Sequence, residues 1–134
     1  SRTAPLMVID TSAILAILGD EPEAELFADK IASAEMRWVS AATLLETAIV
    51  VEARHGAAGG QKLDEMIVAA QILVEPVTVE QVAVARLAYR TYGKGRHPAG
   101  LNFGDCFSYA LAKLRSEPLL FKGEDFTQTD LQIA

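Results

Sequence analysis

The chain has 134 residues, 51% apolar and 22% charged, which excludes a disordered protein and favours one globular domain. Its net charge of -6 excludes a protein that is basic overall, although a local basic patch stays open. The single cysteine, Cys106, excludes a disulfide framework or a cysteine zinc site and favours a reducing, cytoplasmic compartment.

The first six residues are expected to lie outside the domain. Segment 1–6 lacks the apolar core of a signal peptide, and Met7 is a suitable natural start, so the domain is predicted over 7–134. No apolar stretch approaches the ~18–20 residues that cross a bilayer. The sequence therefore predicts a cytoplasmic protein with no membrane partner.

Strands and helices are predicted to alternate along the chain. Short apolar runs predict strands at 7–9, 37–39, 73–77 and 119–121. Caps and apolar periodicity predict helices at 12–18, 22–32, 42–54, 61–70, 79–93 and 103–115. Gly59 and Gly60 are predicted to form a loop. The alternation is typical of an α/β fold with a parallel sheet, whose sites lie beyond the carboxyl ends of the strands.

Two acids stand out in the first half of the chain. Asp10 ends the first predicted strand, where it could either cap the next helix or bind a metal ion. Glu46 lies among apolar residues of the helix at 42–54. An isolated buried carboxylate is costly unless it is paired or metal-bound, which favours a functional role for Glu46.

Two more acids stand out in the second half. Asp105 lies in the first turn of the helix at 103–115, where Asn102 could orient it, although a simple helix-capping role stays open. Asp125 follows the last predicted strand by a few residues. It could be an ordinary exposed loop acid, and the adjacent Glu124 competes with it for any role.

The four acids could meet at one edge of a parallel sheet. Two carboxylates ~4 Å apart repel by about 4 kcal/mol at an effective dielectric of about 20, so such a cluster requires a cation or shared protons. Oxygen ligands favour Mg²⁺ or Mn²⁺. The two histidines have no metal-ligand spacing, which argues against zinc.

The chain resembles the PIN domain, and in particular the VapC toxins of bacterial type II toxin–antitoxin pairs. Four motifs in order carry the resemblance: Val8-Ile9-Asp10-Thr11-Ser12, Leu-Leu-Glu-Thr around Glu46, Asn102-Phe103-Gly104-Asp105-Cys106, and Gly123-Glu124-Asp125-Phe126. The resemblance implies a three-layer α/β/α sandwich with a central parallel sheet of four to five short strands. It also implies a homodimer, a VapB antitoxin that blocks the site, and contact with DNA only through that antitoxin.

The resemblance further implies a Mg²⁺- or Mn²⁺-dependent endoribonuclease that cuts cellular RNA, either tRNA or rRNA. By motif position, its catalytic and metal-binding acids would be Asp10, Glu46, Asp105 and Asp125, supported by Thr11, Ser12 and Asn102. A metal-activated water would leave a 5′-phosphate and a 3′-hydroxyl. The sequence does not decide between one and two metal ions.

The basic residues are concentrated near the third motif. Residues 1–85 have a net charge of -8, whereas residues 86–134 have a net charge of +2. Arg90, Lys94 and Arg96 lead into the third motif and are predicted to contact RNA. The alternative is a solvated helix end at which cations favour the helix dipole.

Other functions remain open at this stage. Asp10-Thr11-Ser12 at a strand end is similar to haloacid-dehalogenase phosphatases, but Ser12 stands where they need a second aspartate. A phosphorylated receiver domain would need an acidic pair before its aspartate. Neither alternative accounts for Glu46. A PIN fold that binds RNA or protein without catalysis is the remaining alternative.

Overall fold

The computed structural model describes residues 5–134, so the prediction for residues 1–4 lies outside its range. Within the described range, the strands are β1 (Leu6–Ile9), β2 (Met36–Ser40), β3 (Leu73–Glu75) and β4 (Leu119–Leu120). The helices are α1 (Thr11–Leu18), α2 (Ala24–Ser33), α3 (Ala41–Ala69), α4 (Val79–Tyr92) and α5 (Phe103–Arg115), followed by a 3-10 turn at Phe126–Gln128. The predicted alternation of strands and helices is confirmed.

The four strands form one parallel sheet in the order β3-β2-β1-β4. Val8 in β1 pairs with Trp38 on one side and with Leu119 on the other. The chain moves from β1 to β2 and β3 in one direction, and β4 lies on the opposite side of β1. The connections therefore diverge at the carboxyl end of β1, which is where open α/β sheets form their binding crevices.

The two faces of the sheet are covered by different helices. Successive residues of a strand point to opposite faces, so Ile9 packs into a core with α1, α2 and α3. Val8 packs into a second core with Trp38, α4 and α5. Both β1 residues are fully buried, which accounts for the continuous apolar run of this strand. The predicted α/β fold with helices on both faces is confirmed.

Helix α3 contains a sharp break at Gly56, whose φ of 66° is outside the helical range. The prediction of a loop at Gly59 and Gly60 is wrong, because both residues are helical and buried. A Cβ at Gly59 would lie 2.8 Å from the carbonyl oxygen of Val51, and one at Gly60 would lie 2.6 Å from the Glu52 carboxylate. These glycines let the two halves of α3 approach closely.

Several element boundaries differ slightly from the predicted ones. Strand β1 begins at Leu6, within the segment that was expected to lie outside the domain. The second helix begins at Ala24 rather than at Pro22, and β3 ends at Glu75. Among the helices of the described range, none is long and apolar enough to cross a membrane.

Candidate active site

Asp10 lies at the carboxyl end of β1 and caps the N-terminus of α1. Its Oδ2 accepts hydrogen bonds from the backbone nitrogen of Ser12 at 3.0 Å and from the Ser12 hydroxyl at 2.7 Å. Its Oδ1 accepts from the Ser108 hydroxyl at 2.6 Å. The side chain is buried, so Asp10 is both a helix cap and a deeply placed acid. Both oxygens are fixed in place by donors from two different helices.

Glu46 lies in the first half of α3 and is partly buried. No partner for it is evident in the sequence, but the fold brings Thr11 of α1 to it. The Thr11 hydroxyl donates to Glu46 Oε1 at 2.7 Å. The consecutive residues Thr11 and Ser12 therefore hold two different acids, Glu46 and Asp10. Both predicted hydroxyls therefore contact a predicted acid.

Gly104 makes room for the Glu46 carboxylate at the start of α5. A Cβ at this position would lie 2.8 Å from Glu46 Oε1 and still closer to Oε2, so no side chain fits there. The absence of a side chain lets a carboxylate from α3 reach the first turn of α5. Glu46 consequently lies beside the residue that precedes Asp105.

Asp105 forms a reciprocal capping box with Asn102. The Asn102 backbone nitrogen donates to Asp105 Oδ2 at 3.0 Å, and the Asp105 nitrogen donates to Asn102 Oδ1 at 2.9 Å. The pKa of Asp105 is raised to about 6, mainly by burial and also by the negative charges of Asp10, Asp125 and Glu46, against the lowering effect of the Asn102 backbone bond. The fold thus brings Asp10, Glu46 and Asp125 within electrostatic reach of Asp105.

Asp125 lies in the loop that follows β4 and is exposed. Its charge is among the groups that raise the pKa of Asp105, and the charge of Glu124 is not. Of the two competing acids, Asp125 is therefore the one that interacts electrostatically with the cluster.

Lys122 ties the loop before Asp125 to the first two helices. Its backbone nitrogen donates to the Ser12 hydroxyl at 2.9 Å, the same hydroxyl that donates to Asp10. Its ammonium group lies 2.5 Å from Glu21 and 3.3 Å from Glu23. These contacts hold the loop against the start of α1 and the segment that precedes α2.

The negative charge of the four acids has no basic partner in residues 5–134. The ion pairs in this range involve other carboxylates, namely those of Glu21, Glu23, Glu75 and Asp130. Within the same range, no three Asp, Glu, His or Cys side chains converge closely enough to hold an ion by themselves. A bound cation would therefore complete its shell with water or substrate oxygens, as Mg²⁺ commonly does.

Two grooves lie beside the first turn of α5, and both include Phe103 in their lining. The first, of about 430 Å³, is lined by Glu46 and Gly104 together with apolar residues of α3 and α5. The second, of about 700 Å³, runs between α4 and α5 and has Arg86, Arg90 and Arg96 in its lining. Lys94 is exposed and is not part of that lining. Of the three predicted RNA contacts, two thus share a groove.

Two residues of the site were not identified from the sequence. Gly104 lies in a predicted helix, and no sequence pattern around it indicates that the carboxylate of the distant Glu46 contacts it. Ser108 is the polar residue in the otherwise apolar stretch from Cys106 to Ala112, one turn after Asp105. That position on the same helix face as Asp105 is the signal by which Ser108 could have been found.

Comparison with known proteins identifies relatives of the whole chain. A family model described as the PIN domain matches residues 7–131. Ribonuclease VapC of Mycolicibacterium smegmatis is 58% identical over 125 residues, which cover 93% of this chain and 97% of that protein. Ribonuclease VapC30 of Mycobacterium tuberculosis is 56% identical over 125 residues, covering 93% of this chain and 95% of that protein.

Solved structures share the fold at much lower identity. The structure of Mycobacterium tuberculosis VapC20, described as a sarcin-ricin loop cleaving toxin, has a TM-score of 0.77 at 18% identity and covers 96% of this chain and 98% of its own. VapBC2 from Rickettsia felis, bound to a DNA fragment from its promoter, has a TM-score of 0.73 at 14% identity, with 96% of each chain covered.

Proposed function

The chain belongs to the PIN-domain family, and on that basis we propose that it is a VapC-type endoribonuclease that hydrolyses phosphodiester bonds in cellular RNA. The observation that carries the proposal is the electrostatic cluster formed by Asp105 with Asp10, Glu46 and Asp125. Relatives that are more than half identical over nearly the whole chain are named ribonucleases, which supports the same activity.

We propose that the four acids hold Mg²⁺ or Mn²⁺. The donors are all carboxylate oxygens, which suit a hard divalent cation. The raised pKa of Asp105 reflects burial and negative charge that no base in residues 5–134 neutralises. A bound ion would stabilise charge on the phosphate and activate the attacking water.

The surrounding residues orient the acids for this reaction. Ser12 holds Asp10, Thr11 holds Glu46, and Asn102 holds Asp105 through the capping box. Water attacks phosphorus and the 3′ oxygen leaves, so the products carry a 5′-phosphate and a 3′-hydroxyl. No 2′-hydroxyl nucleophile is required.

We propose that RNA reaches the acids along the basic segment formed by the last turn of α4 and the loop that leads to α5. Arg90, Lys94 and Arg96 are exposed and precede Asp105 in the chain. The rest of the protein is acidic, so binding outside the site would depend on these few cations and would weaken as salt rises.

We infer that a second copy of the chain covers the apolar surface beside Glu46. Leu45 and Ile49 of α3 and Phe103 of α5 are exposed there and line the groove that contains Glu46. Apolar patches of this kind mark interaction sites. A homodimer formed here would place the two acidic clusters near its interface.

We further propose that a VapB-type antitoxin inhibits the enzyme in the cytoplasm. A toxin–antitoxin complex from Klebsiella pneumoniae shares the fold, with a TM-score of 0.72 at 16% identity over 96% of each chain. Promoter DNA would be contacted only through the antitoxin.

The test is cleavage of total cellular RNA by the purified chain with Mg²⁺, with Mn²⁺ and with EDTA, followed by sequencing of the 5′ ends. Asp10→Asn removes the charge but keeps a good helix cap, and Asp29→Asn on α2 is the matched control. We expect discrete cuts that disappear with EDTA and with Asp10→Asn only. Intact RNA under every condition, in a sample that mass spectrometry shows to be free of antitoxin, would favour a non-catalytic binding module.

A further inference from the structure

A chain of buried hydroxyl groups lies between Asp10 and Glu46. Ser108 in α5 contacts Asp10 at 2.6 Å and lies 3.3 Å from the Thr43 hydroxyl in α3. On the other side, the Thr47 hydroxyl lies 3.0 Å from that of Thr11, which contacts Glu46. Ser108, Thr43 and Thr47 are at most 1% exposed. None of the three is required by the roles proposed above.

The donors and acceptors in this chain have a defined direction. A hydroxyl has one hydrogen to donate, and a carboxylate oxygen only accepts. Ser108 therefore uses its hydrogen on Asp10, and the Thr43 hydroxyl must donate to Ser108. Thr11 likewise uses its hydrogen on Glu46, whereas the Thr47 hydroxyl lies 3.0 Å from that of Thr11 and also contacts the Thr43 carbonyl oxygen at 2.8 Å. The pair whose hydrogens both point toward an acid is therefore Thr43 and Ser108, on the side of Asp10.

The Ser108 hydroxyl has no packing function that a smaller side chain could not fulfil. Its neighbours in the core-facing part of α5 include the buried residues Ala110 and Ala112. An alanine would fit the same space, and the only contacts of the hydroxyl among the described residues are Asp10 and Thr43.

We propose that Ser108 is a positioning residue that fixes the orientation of the Asp10 carboxylate for cation binding, with Thr43 orienting Ser108. The proposal rests on the proposed metal-dependent function. Rotation about the Cβ–Cγ bond would move both oxygens of Asp10, so Ser108 on Oδ1 and Ser12 on Oδ2 together hold the carboxylate in one orientation. Loss of a group that orients a metal ligand typically weakens metal binding by about 10–100-fold.

The test measures Mn²⁺ affinity by titration calorimetry, together with kcat and KM for RNA cleavage. We expect Ser108→Ala to weaken Mn²⁺ binding by about 10-fold or more. It should lower kcat while KM for RNA stays the same. Ser40→Ala is the matched control, since Ser40 is an equally buried helix cap that contacts none of the four acids. It should leave Mn²⁺ affinity unchanged.

Thr43→Val is the second variant, because it removes the donor to Ser108 and keeps the shape of the side chain. We expect it to weaken Mn²⁺ binding less than Ser108→Ala. Folded Ser108→Ala with wild-type Mn²⁺ affinity would overturn the positioning role alone. If Ser108→Ala does not fold, wild-type Mn²⁺ affinity in Thr43→Val would overturn it instead. A wild-type chain that binds no Mn²⁺ would overturn both this role and the proposed function.

Discussion

The carboxylate of Glu46 lies directly against the Cα of Gly104, with no space between them for a side chain. This contact joins α3 to the first turn of α5, where Asp105 is located. The position of Glu46 therefore depends on the absence of a side chain at Gly104, the residue before Asp105.

We expect Gly104→Ala to displace Glu46 and lower cleavage by about 100-fold, as small misplacements of catalytic groups do. The clash is with the end of a flexible side chain, so the Glu46 carboxylate can move aside and the loss of stability should be small. Gly60→Ala is the control, since it creates a comparable clash with the carboxylate of another glutamate of α3, Glu52. Thermal unfolding and RNA cleavage of both variants would be compared. Equal activity losses in equally folded samples would contradict a specific effect on Glu46.

The raised pKa of Asp105 predicts a pH-dependent stability. Because the pKa is 3.8 ordinarily and about 6 in the folded chain, the folded state binds this proton more tightly. This group therefore destabilises the metal-free fold at neutral pH, and the penalty is relieved as the pH falls through about 6 and is lost below 3.8. The free energies of unfolding of wild type and Asp105→Asn should therefore converge, or change order, as the pH falls. A stability difference that does not change with pH would contradict the assignment.

Asp125 and Glu124 should differ in their effect on Asp105. We expect Asp125→Asn to lower the pKa of the Asp105 carboxyl, because it removes a nearby negative charge. Glu124→Gln should leave that pKa unchanged. Carboxyl chemical shifts of the metal-free protein, followed by NMR through a pH titration, would measure both. A larger shift with Glu124→Gln would make Glu124 the fourth acid.

The apolar surface beside Glu46 should control the oligomeric state. Phe103 is 78% exposed, and replacing it with lysine should convert a homodimer to a monomer. Val68→Lys is a closely matched control, because Val68 is 77% exposed and lines neither groove. Light scattering during gel filtration would give both masses. A Phe103→Lys protein that remains dimeric would place the interface elsewhere.

The basic segment should determine the salt dependence of RNA binding. Removing one phosphate contact lowers the slope of log affinity against log salt by about 0.7 for single strands, so replacing Arg90, Lys94 and Arg96 together by alanine should lower it by about 2. Lys62→Ala, on the exposed second half of α3, should have no effect. Titrations of an uncleaved RNA at several salt concentrations would test this. An unchanged slope would show that RNA approaches by another route.

Local patterns predicted the strands and most of the helices well. The apolar run that ends at Asp10 correctly indicated a central buried strand, and Asn102 correctly indicated the start of α5. Both signals depend on residues close together in the chain, where periodicity and capping chemistry act directly.

The contacts that assemble the site could not be predicted from local sequence patterns. Thr11 and Glu46 are separated by 35 positions, and Ser108 and Asp10 by 98, so only the packing of α1, α3 and α5 brings them together. The loop expected at Gly59 and Gly60 illustrates the same limit. A pair of glycines favours a loop locally, but here tertiary contact requires small residues inside a helix.

The sheet order has a consequence for how the protein acquires activity during synthesis. Asp10 leaves the ribosome early, but its backbone nitrogen donates to Leu120 at 3.0 Å in the neighbouring strand, β4. The pairing of β1 with β4, which completes this end of the sheet, therefore cannot form until about 110 further residues have been made. A ribosome producing this chain would finish most of the polypeptide before the acids could assemble, which delays any damage to RNA until the chain is nearly complete.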